Sequence, residues 1–355
     1  MQALNLFSWI LILISSGYFL VIIVVIAGLL SRRRMIMVKN IPSTRVTVII
    51  PARNEEDRIE GCLNGLLIQD YPMELLEIIL VDDVSDDRTG EVIEAFIRNH
   101  PGLPLKCLKT EGPPSKKAAS ANAILACSGT LIITSDADAL PGPGWITSMV
   151  RFYESAHPQM IIGPVAFTGE KNFFDGIQSL EFMGLIGATA GSALAGFPLM
   201  CNGANLAYEK KAFLEVSGFS GNENYASGDD QFLMMKIRKQ FGKKSVRFLF
   251  DREAIIETRP AATFRAFFHQ RLRWVSKSKG YTDKKVLLVA VVTYLANLLI
   301  LVGMLIPDVR NLTFLLFGIK ILLDFIPVVV MNWFFRKNRW LFLFPVAAIL
   351  NLVYT

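Results

Sequence analysis

The sequence predicts a mixed fold: a Rossmann-like α/β domain with one transmembrane helix before it and two to three after it. Three observations predict this. Long charge-free windows sit at both ends of the 355-residue chain. Between residues 46 and 134, short apolar β-rich runs alternate with helix-spaced stretches. Polar, mostly acidic clusters recur just past those runs: Pro51 to Glu55, Asp82 with Asp83, and Asp136 with Asp138.

The terminal windows come first. Residues 1–30, 286–307 and 340–355 carry no charge, and residues 312–335 carry only Lys320 and Asp324. The windows at 1–30, 286–307 and 312–335 meet the roughly 20 apolar residues a spanning helix requires. The last window, about 16 residues, is marginal by that measure. A secretory signal is the other reading of residues 1–30. The window lacks a basic start, its apolar run is too long, and no small-residue cleavage site is evident. Arg32, Arg33 and Arg34 follow it; Lys277, Lys279, Lys284 and Lys285 precede the second helix; Arg336, Lys337 and Arg339 separate the third from the fourth. The loop between the second and third offers only Asp308 and Arg310. By the positive-inside rule the N-terminus is outside and residues 31–285 are cytoplasmic. The chain is then an integral membrane protein with its α/β domain in the cytoplasm, at the plasma membrane if bacterial.

The organisation follows: 1–31 a transmembrane helix, 40–262 the cytoplasmic domain, 263–285 an interfacial segment, and 286–355 the C-terminal transmembrane helices. The net charge of +6 lies largely beside the membrane, where it attracts anionic lipid. Nothing in it resembles a nucleic-acid reader. Cys62, Cys107, Cys127 and Cys201 lack C-x-x-C spacing and read as reduced core thiols. His100, His157 and His269 show no ligand spacing. Lys320 and Asp324 stand four apart on one helix face, which predicts mutual pairing over a polar lining for a path or interface.

Within the domain, residues 46–50 predict a buried strand ended by Pro51 to Asn54. A helix is predicted over Glu55 to Gln69, with Ile59, Leu63, Leu66 and Leu67 at helical spacing and Glu55, Glu56 and Asp57 in its first turn. A strand at Leu76 to Val81 ends in Asp82 and Asp83. Then come a helix near Glu91 to Arg98, a strand at Leu105 to Leu108, a helix near Lys116 to Ala126, and a strand at Leu131 to Thr134 before Asp136 and Asp138. This alternation predicts a parallel sheet covered on both faces, with ligands at the carboxyl ends of its strands. The apolar, Gly- and Ala-rich stretch Phe173 to Leu199 predicts a buried or interfacial helix. A crossing there would separate Asp229 and Asp230 from Asp136. A helix near Gln231 to Arg238 makes Asp229 and Asp230 its N-terminus.

Two carboxylates one residue apart, just past a buried strand, can hold one divalent cation against a diphosphate. Blander readings stand beside this one. Asp82 and Asp83 can cap the next turn. Lys116 and Lys117 can be a solvated pair or touch phosphate, and Asn202 and Asn205 can serve only local backbone. Trp274 can be an ordinary interfacial belt residue.

Five motifs occur in a fixed order: VIIPARNE (48–55), VDDVSDD (81–87), SDAD (135–138), GDD (228–230) and Q-x-x-R-W (270–274). Together they resemble the membrane-bound family 2 glycosyltransferases, the group of cellulose, chitin and hyaluronan synthases and ceramide glucosyltransferase. The resemblance covers residues 45–280 and the flanking helices. It implies a GT-A-type nucleotide-sugar domain at 40–262. It implies that Asp83, with Asp82, binds the uracil of a uridine diphosphate sugar in a pocket lined by Pro51, Arg53, Asn54 and Glu55. Asp136 and Asp138 then meet the diphosphate and its Mg²⁺ or Mn²⁺, and Asp230 is the general base. Gln270, Arg273 and Trp274 cup acceptor and diphosphate near the membrane. Apart from the resemblance, Lys117 of the lysine pair is a candidate phosphate contact.

Cys201 to Gly203 departs from the F-F-C-G-S acceptor motif of the synthases, with Leu199 and Met200 for the aromatics and Asn202 inserted. No F-x-V-T-x-K gating loop follows Trp274. Both departures argue against a polymer-threading enzyme. The expected partners are a nucleotide-sugar donor, a lipid or glycan acceptor and membrane lipids. The expected reaction is inverting transfer to a lipid or lipid-linked acceptor. The alternatives are a small processive polysaccharide synthase and an inactive homologue acting as a membrane scaffold.

Overall fold

The strand β1 (Val46–Ala52) is buried along its whole length, because strands flank it on both sides. Its neighbours are β2 (Leu76–Asp82) and, on the other side, β4 (Leu131–Thr134), both parallel to it. Between them run α2 (Ile59–Leu67), α3 (Thr89–Asn99), β3 (Leu105–Lys109) and α4 (Lys116–Ala126). Helix α1 (Gln2–Leu30) precedes the sheet. After β4 the chain continues through β5 (Leu140–Pro141), α5 (Trp145–Ala156), β6 (Met160–Ile162), β7 (Val165–Phe167), α6 (Phe173–Leu194), β8 (Leu206–Glu209) and α7 (Lys210–Glu215). Next are α8 (Asp229–Phe241), β9 (Val246–Phe248), β10 (Ile256–Thr258) and α9 (Phe264–Ser276). Last come α10 (Lys284–Leu305), α11 (Arg310–Phe335) and α12 (Phe344–Tyr354). The computed structural model describes residues 2–31, 42–221, 228–276, 280 and 283–354. Arg32 to Arg34, Lys277, Lys279 and the predicted domain start at residue 40 lie outside the described residues.

The main sheet has the order β3-β2-β1-β4-β8-β6-β9, and β5-β10-β7 form a second, small sheet. Strands β3, β2, β1 and β4 are parallel as predicted, while β8 runs antiparallel to β4 and β6. The order reverses at β1: the chain steps outward to β2 and β3, then returns to β4 on the far side. Such a switch opens a crevice at the carboxyl ends of the two strands, where ligands bind in open α/β sheets. The switch therefore places the loop after β1 beside the loop after β4, and the register of Ala52 with Asp82 adds the loop after β2.

Helix α2 starts four residues later than the sequence predicts. The backbone N–H groups of Glu55 and Glu56 donate to the side chains of Thr89 and Asp87, at 2.8 and 3.2 Å. These partners hold residues 54–58 as a turn, so the acidic trio precedes the helix instead of opening it. Helix α4 has the predicted bounds, with the Ser115 hydroxyl accepting from the Ala118 N–H as its N-cap.

Three helical stretches are long and apolar enough to cross a membrane: Leu6–Leu30, Lys284–Leu305 and Pro307–Phe335. A fourth, Leu341–Val353, is shorter. Their outer faces expose large apolar side chains such as Leu13, Leu288 and Leu322. Helix α6 is not among the spans. It is mostly buried, and one apolar core joins it to the sheet, to Val25 and Leu29 of α1 and to Val328 and Met331 of α11. Contact is backbone to backbone at one point: a Cβ on Gly28 would come within 2.0 Å of the Gly191 carbonyl oxygen. Inside the helical bundle Lys320 donates to Asp324 at 2.6 Å, the predicted pairing, and the Tyr18 hydroxyl donates to the other carboxylate oxygen at 2.6 Å.

Candidate active site

Four loops converge at the switch point. The first two, after β1 and β2, are tied side chain to backbone. Asn54, at φ 55°, braces the pair of them. Its Oδ1 accepts the Asp86 N–H at 2.9 Å, and its own N–H donates to the Ser85 hydroxyl at 3.2 Å. The Arg53 guanidinium lies 3.7 Å from the Asp86 carboxylate, with both side chains largely in solvent. Val84 follows the acidic pair at φ 54°, a strained conformation for a β-branched residue of the kind that collects at functional sites.

Asp82 and Asp83 divide their work. Asp82 Oδ1 accepts the Ser85 N–H at 3.2 Å, so it caps the turn. Asp83 is buried, and its Oδ1 accepts from the Thr110 hydroxyl at 3.1 Å and the Ser115 N–H at 3.0 Å. Those contacts fix the carboxylate against the start of α4.

The loop after β4 carries Asp136 and Asp138. The Ser135 hydroxyl donates to the Ala204 carbonyl at 2.7 Å, which pins this loop to the one before β8. Lys116 pairs with Asp136, and Asp138 lies 3.5 Å from the Thr258 hydroxyl at the end of β10. Burial first, then the Asp136 charge, pushes the Asp138 carboxyl above its ordinary value. Burial and then Asp138 do the same to Glu55. For Lys116, desolvation opposes the charge, but Asp136, Asp230 and Asp138 outweigh it and raise its value. One ammonium thus sits in the combined field of three carboxylates.

Asp229 and Asp230 open α8, as predicted. Lys117 lies 3.0 Å from Asp229, so the lysine assigned from sequence to phosphate meets this helix start, and its neighbour Lys116 meets Asp136. Gln231 ties the loop before β8 to α8: its Oε1 accepts the Cys201 N–H at 3.1 Å, and its Nε2 donates to the Leu199 carbonyl at 2.8 Å. Gly203 faces Asp230 so closely that a Cβ there would come within 2.2 Å of Oδ2. Gly203→Ala should therefore displace the carboxylate and lower turnover about 10²-fold, the order of loss a 1 Å misplacement brings. Steady-state kinetics beside a melting curve would check this; a folded variant with unchanged turnover would count against Asp230 as a reacting group. Asn202 caps its own turn through the Ala204 N–H at 3.0 Å. Asn205 reaches further, bonding the Trp145 indole and the Pro164 and Ala254 carbonyls.

The Q-x-x-R-W segment lies on α9, and its described contacts run to α6. The buried Arg271 makes a two-pronged pair with Glu181, at 2.8 and 2.7 Å, and donates to Gln270 at 2.7 Å. Its guanidinium stacks 4.3 Å from the ring centroids of both Phe267 and Trp274. Gln270 and Trp274 thus support Arg271, while Arg273 is exposed. Sequence reasoning assigned no site role to Arg271 or Glu181 and named Lys117, not Lys116, as the phosphate candidate. One signal was present: Glu181 is one of only two charges in the apolar stretch 173–199.

Among the described residues, no three His, Cys, Asp or Glu side chains converge on one point. Asp136 and Asp138 nonetheless fit a hard divalent cation. Their crowding with Glu55 leaves an excess of negative charge, and Mg²⁺ or Mn²⁺ commonly takes only one or two carboxylates, with substrate oxygens and water completing the shell.

Residues 47–216 match the family model described as glycosyl transferase family 2. This chain carries a family 2 glycosyltransferase domain. Among its relatives is glycosyltransferase AglE of Haloferax volcanii, 31% identical over 123 residues, covering 35% of this chain and 40% of that one. The dolichyl N-acetyl-alpha-D-glucosaminyl phosphate 3-beta-D-2,3-diacetamido-2,3-dideoxy-beta-D-glucuronosyltransferase of Methanococcus voltae is 42% identical over 55 residues, 16% of this chain and 17% of that one. The aligned stretches thus span less than half of either relative. The mannosyltransferase PcManGT of Pyrobaculum calidifontis, solved with GDP-Man and Mn²⁺, has a TM-score of 0.62 at 19% identity, covering 98% of this chain and 99% of that one. The glycosyltransferase domain accordingly has a Rossmann-like GT-A fold.

Proposed function

We propose that the enzyme transfers a sugar, with inversion, from a nucleoside diphosphate donor to a hydroxyl of a lipid or lipid-linked acceptor at the cytoplasmic face of a membrane. The observation that carries this reading is the Lys116–Asp136 ion pair, lying in the field of Asp138 and Asp230 at the switch point of the sheet. Asp230 takes the acceptor proton as the hydroxyl attacks the anomeric carbon. With one base and no carboxylate assigned as nucleophile, a single displacement inverts that carbon. Asp136 and Asp138 would hold Mg²⁺ or Mn²⁺, which offsets the charge that builds on the leaving diphosphate. Lys116 and Lys117 flank the same place and add positive charge to it.

Uridine is the base we assign. The described contacts of Asp83 both fall on Oδ1. Guanine offers two adjacent N–H donors and would use both carboxylate oxygens, whereas uracil offers one imide N–H. The GDP-Man in PcManGT makes this a point to test directly. The lipid acceptor is supported by the membrane-length helices joined to the domain core and by the dolichyl-linked acceptor named for the Methanococcus voltae relative.

The test is to give the full chain, purified in native lipid, a panel of uridine and guanosine diphosphate sugars and to analyse the lipid extract by mass spectrometry. A single lipid-soluble glycoside formed from a uridine donor is expected. Products of graded length would instead indicate a polysaccharide synthase, and transfer only from guanosine donors would reject the base assignment. Asp138→Ala should abolish the part of donor binding that depends on Mn²⁺. Calorimetry with and without the ion would read this, and an undiminished Mn²⁺ effect would exclude Asp138 as a ligand.

A further inference from the structure

A cavity of about 290 Å³ lies where α11 ends against the loop between β9 and β10, lined by Arg252, Trp333, Arg336 and Asn338. Its floor is built. Arg252 donates from Nε to the Phe334 carbonyl at 2.8 Å and from Nη2 to the Trp333 carbonyl at 3.1 Å. Asn338 accepts from the Asn332 side chain at 2.7 Å. Arg336 ends the helix at φ 57°. The neighbouring cations are engaged elsewhere: Lys337 lies 3.5 Å from Glu170, and Arg339 stacks on Trp340. Among the described residues no carboxylate pairs with Arg252 or Arg336. The helix C-terminus offsets only about half a charge. Two guanidinium groups therefore line one cavity with positive charge left over.

We propose that this cavity binds the phosphate of an anionic membrane phospholipid. Guanidinium groups suit phosphate because their donors form a planar fork. The lipid source follows from position. The cavity opens at the end of the Pro307–Phe335 span, and Trp333, 61% exposed, stands on its last turn, where an aromatic ring marks the headgroup level. Basic pockets at that level attract anionic headgroups. The proposal rests on α11 crossing a bilayer and is independent of the donor and acceptor assigned above.

The test uses the full chain exposed to equal amounts of phosphatidylglycerol and phosphatidylcholine, with bound lipid counted by native mass spectrometry. The wild type should be enriched in phosphatidylglycerol, and Arg336→Ala should lower that enrichment about fivefold, as for loss of one basic residue near a charged surface. Arg336→Gln, closer in shape, serves the same test if the alanine variant is unstable. No enrichment in the wild type, or equal enrichment in the variants, would overturn the proposal. So would inorganic phosphate binding that the variants lose while their lipid enrichment persists, since the site would then hold a soluble anion.

Discussion

Asp230→Asn should lower sugar transfer by about 10²–10⁴-fold, the usual contribution of a positioned general base. The amide keeps the shape of the carboxylate but cannot take the acceptor proton. The fold should tolerate the change, because the Asp229–Lys117 pair stays in place at the start of α8 and no atom is added near Gly203. Donor affinity and melting temperature should therefore move little. Single-turnover transfer from a labelled donor, alongside donor binding, separates these effects. Wild-type turnover in a folded Asp230→Asn variant would place the base elsewhere, whereas no transfer by the wild type itself would favour the scaffold reading.

Glu181→Ala should destabilise the protein by about 3–5 kcal/mol, the loss expected when one partner of a buried ion pair is removed. Arg271 and Glu181 have only 11% and 8% of their side chains exposed. Without Glu181 the guanidinium stays buried between Phe267 and Trp274 with its charge uncompensated. The double variant Glu181→Leu with Arg271→Met removes both charges and should recover most of the loss, since apolar replacement of a whole buried pair is often neutral or stabilising. Thermal unfolding of the three proteins in one detergent gives the comparison. If Glu181→Ala melts with the wild type, the pair does not hold α9 to α6.

The parts of the fold that were legible in the sequence share a cause. Strands β1, β2 and β4 lie inside the sheet, so each is a nearly continuous apolar run, and the polar residues after each mark the sheet's edge. Strands β5, β6, β7, β9 and β10 are two or three residues long and left no such pattern. At the site, residue types were legible but partners were not. The acids at 55–57 resemble a helix start, yet Thr89 and Asp87 claim the backbone there. Which arginine of Q-x-x-R-W is buried depends on Glu181, 90 residues away in the chain. Lys116 and Lys117 are adjacent and alike; only the placing of Asp136 and Asp229 tells them apart.

The close approach of Gly28 to Gly191 bears on how the domain sits against its apolar helices. Where two backbones touch, there is no side chain to slide or pivot on. With α1 and α11 both seated against α6, the domain is packed directly on these two helices. Under the proposed transfer at a membrane face, the acid cluster would stand at a set height, and the enzyme would work as a depth gauge, taking an acceptor by how far its hydroxyl rises from the membrane.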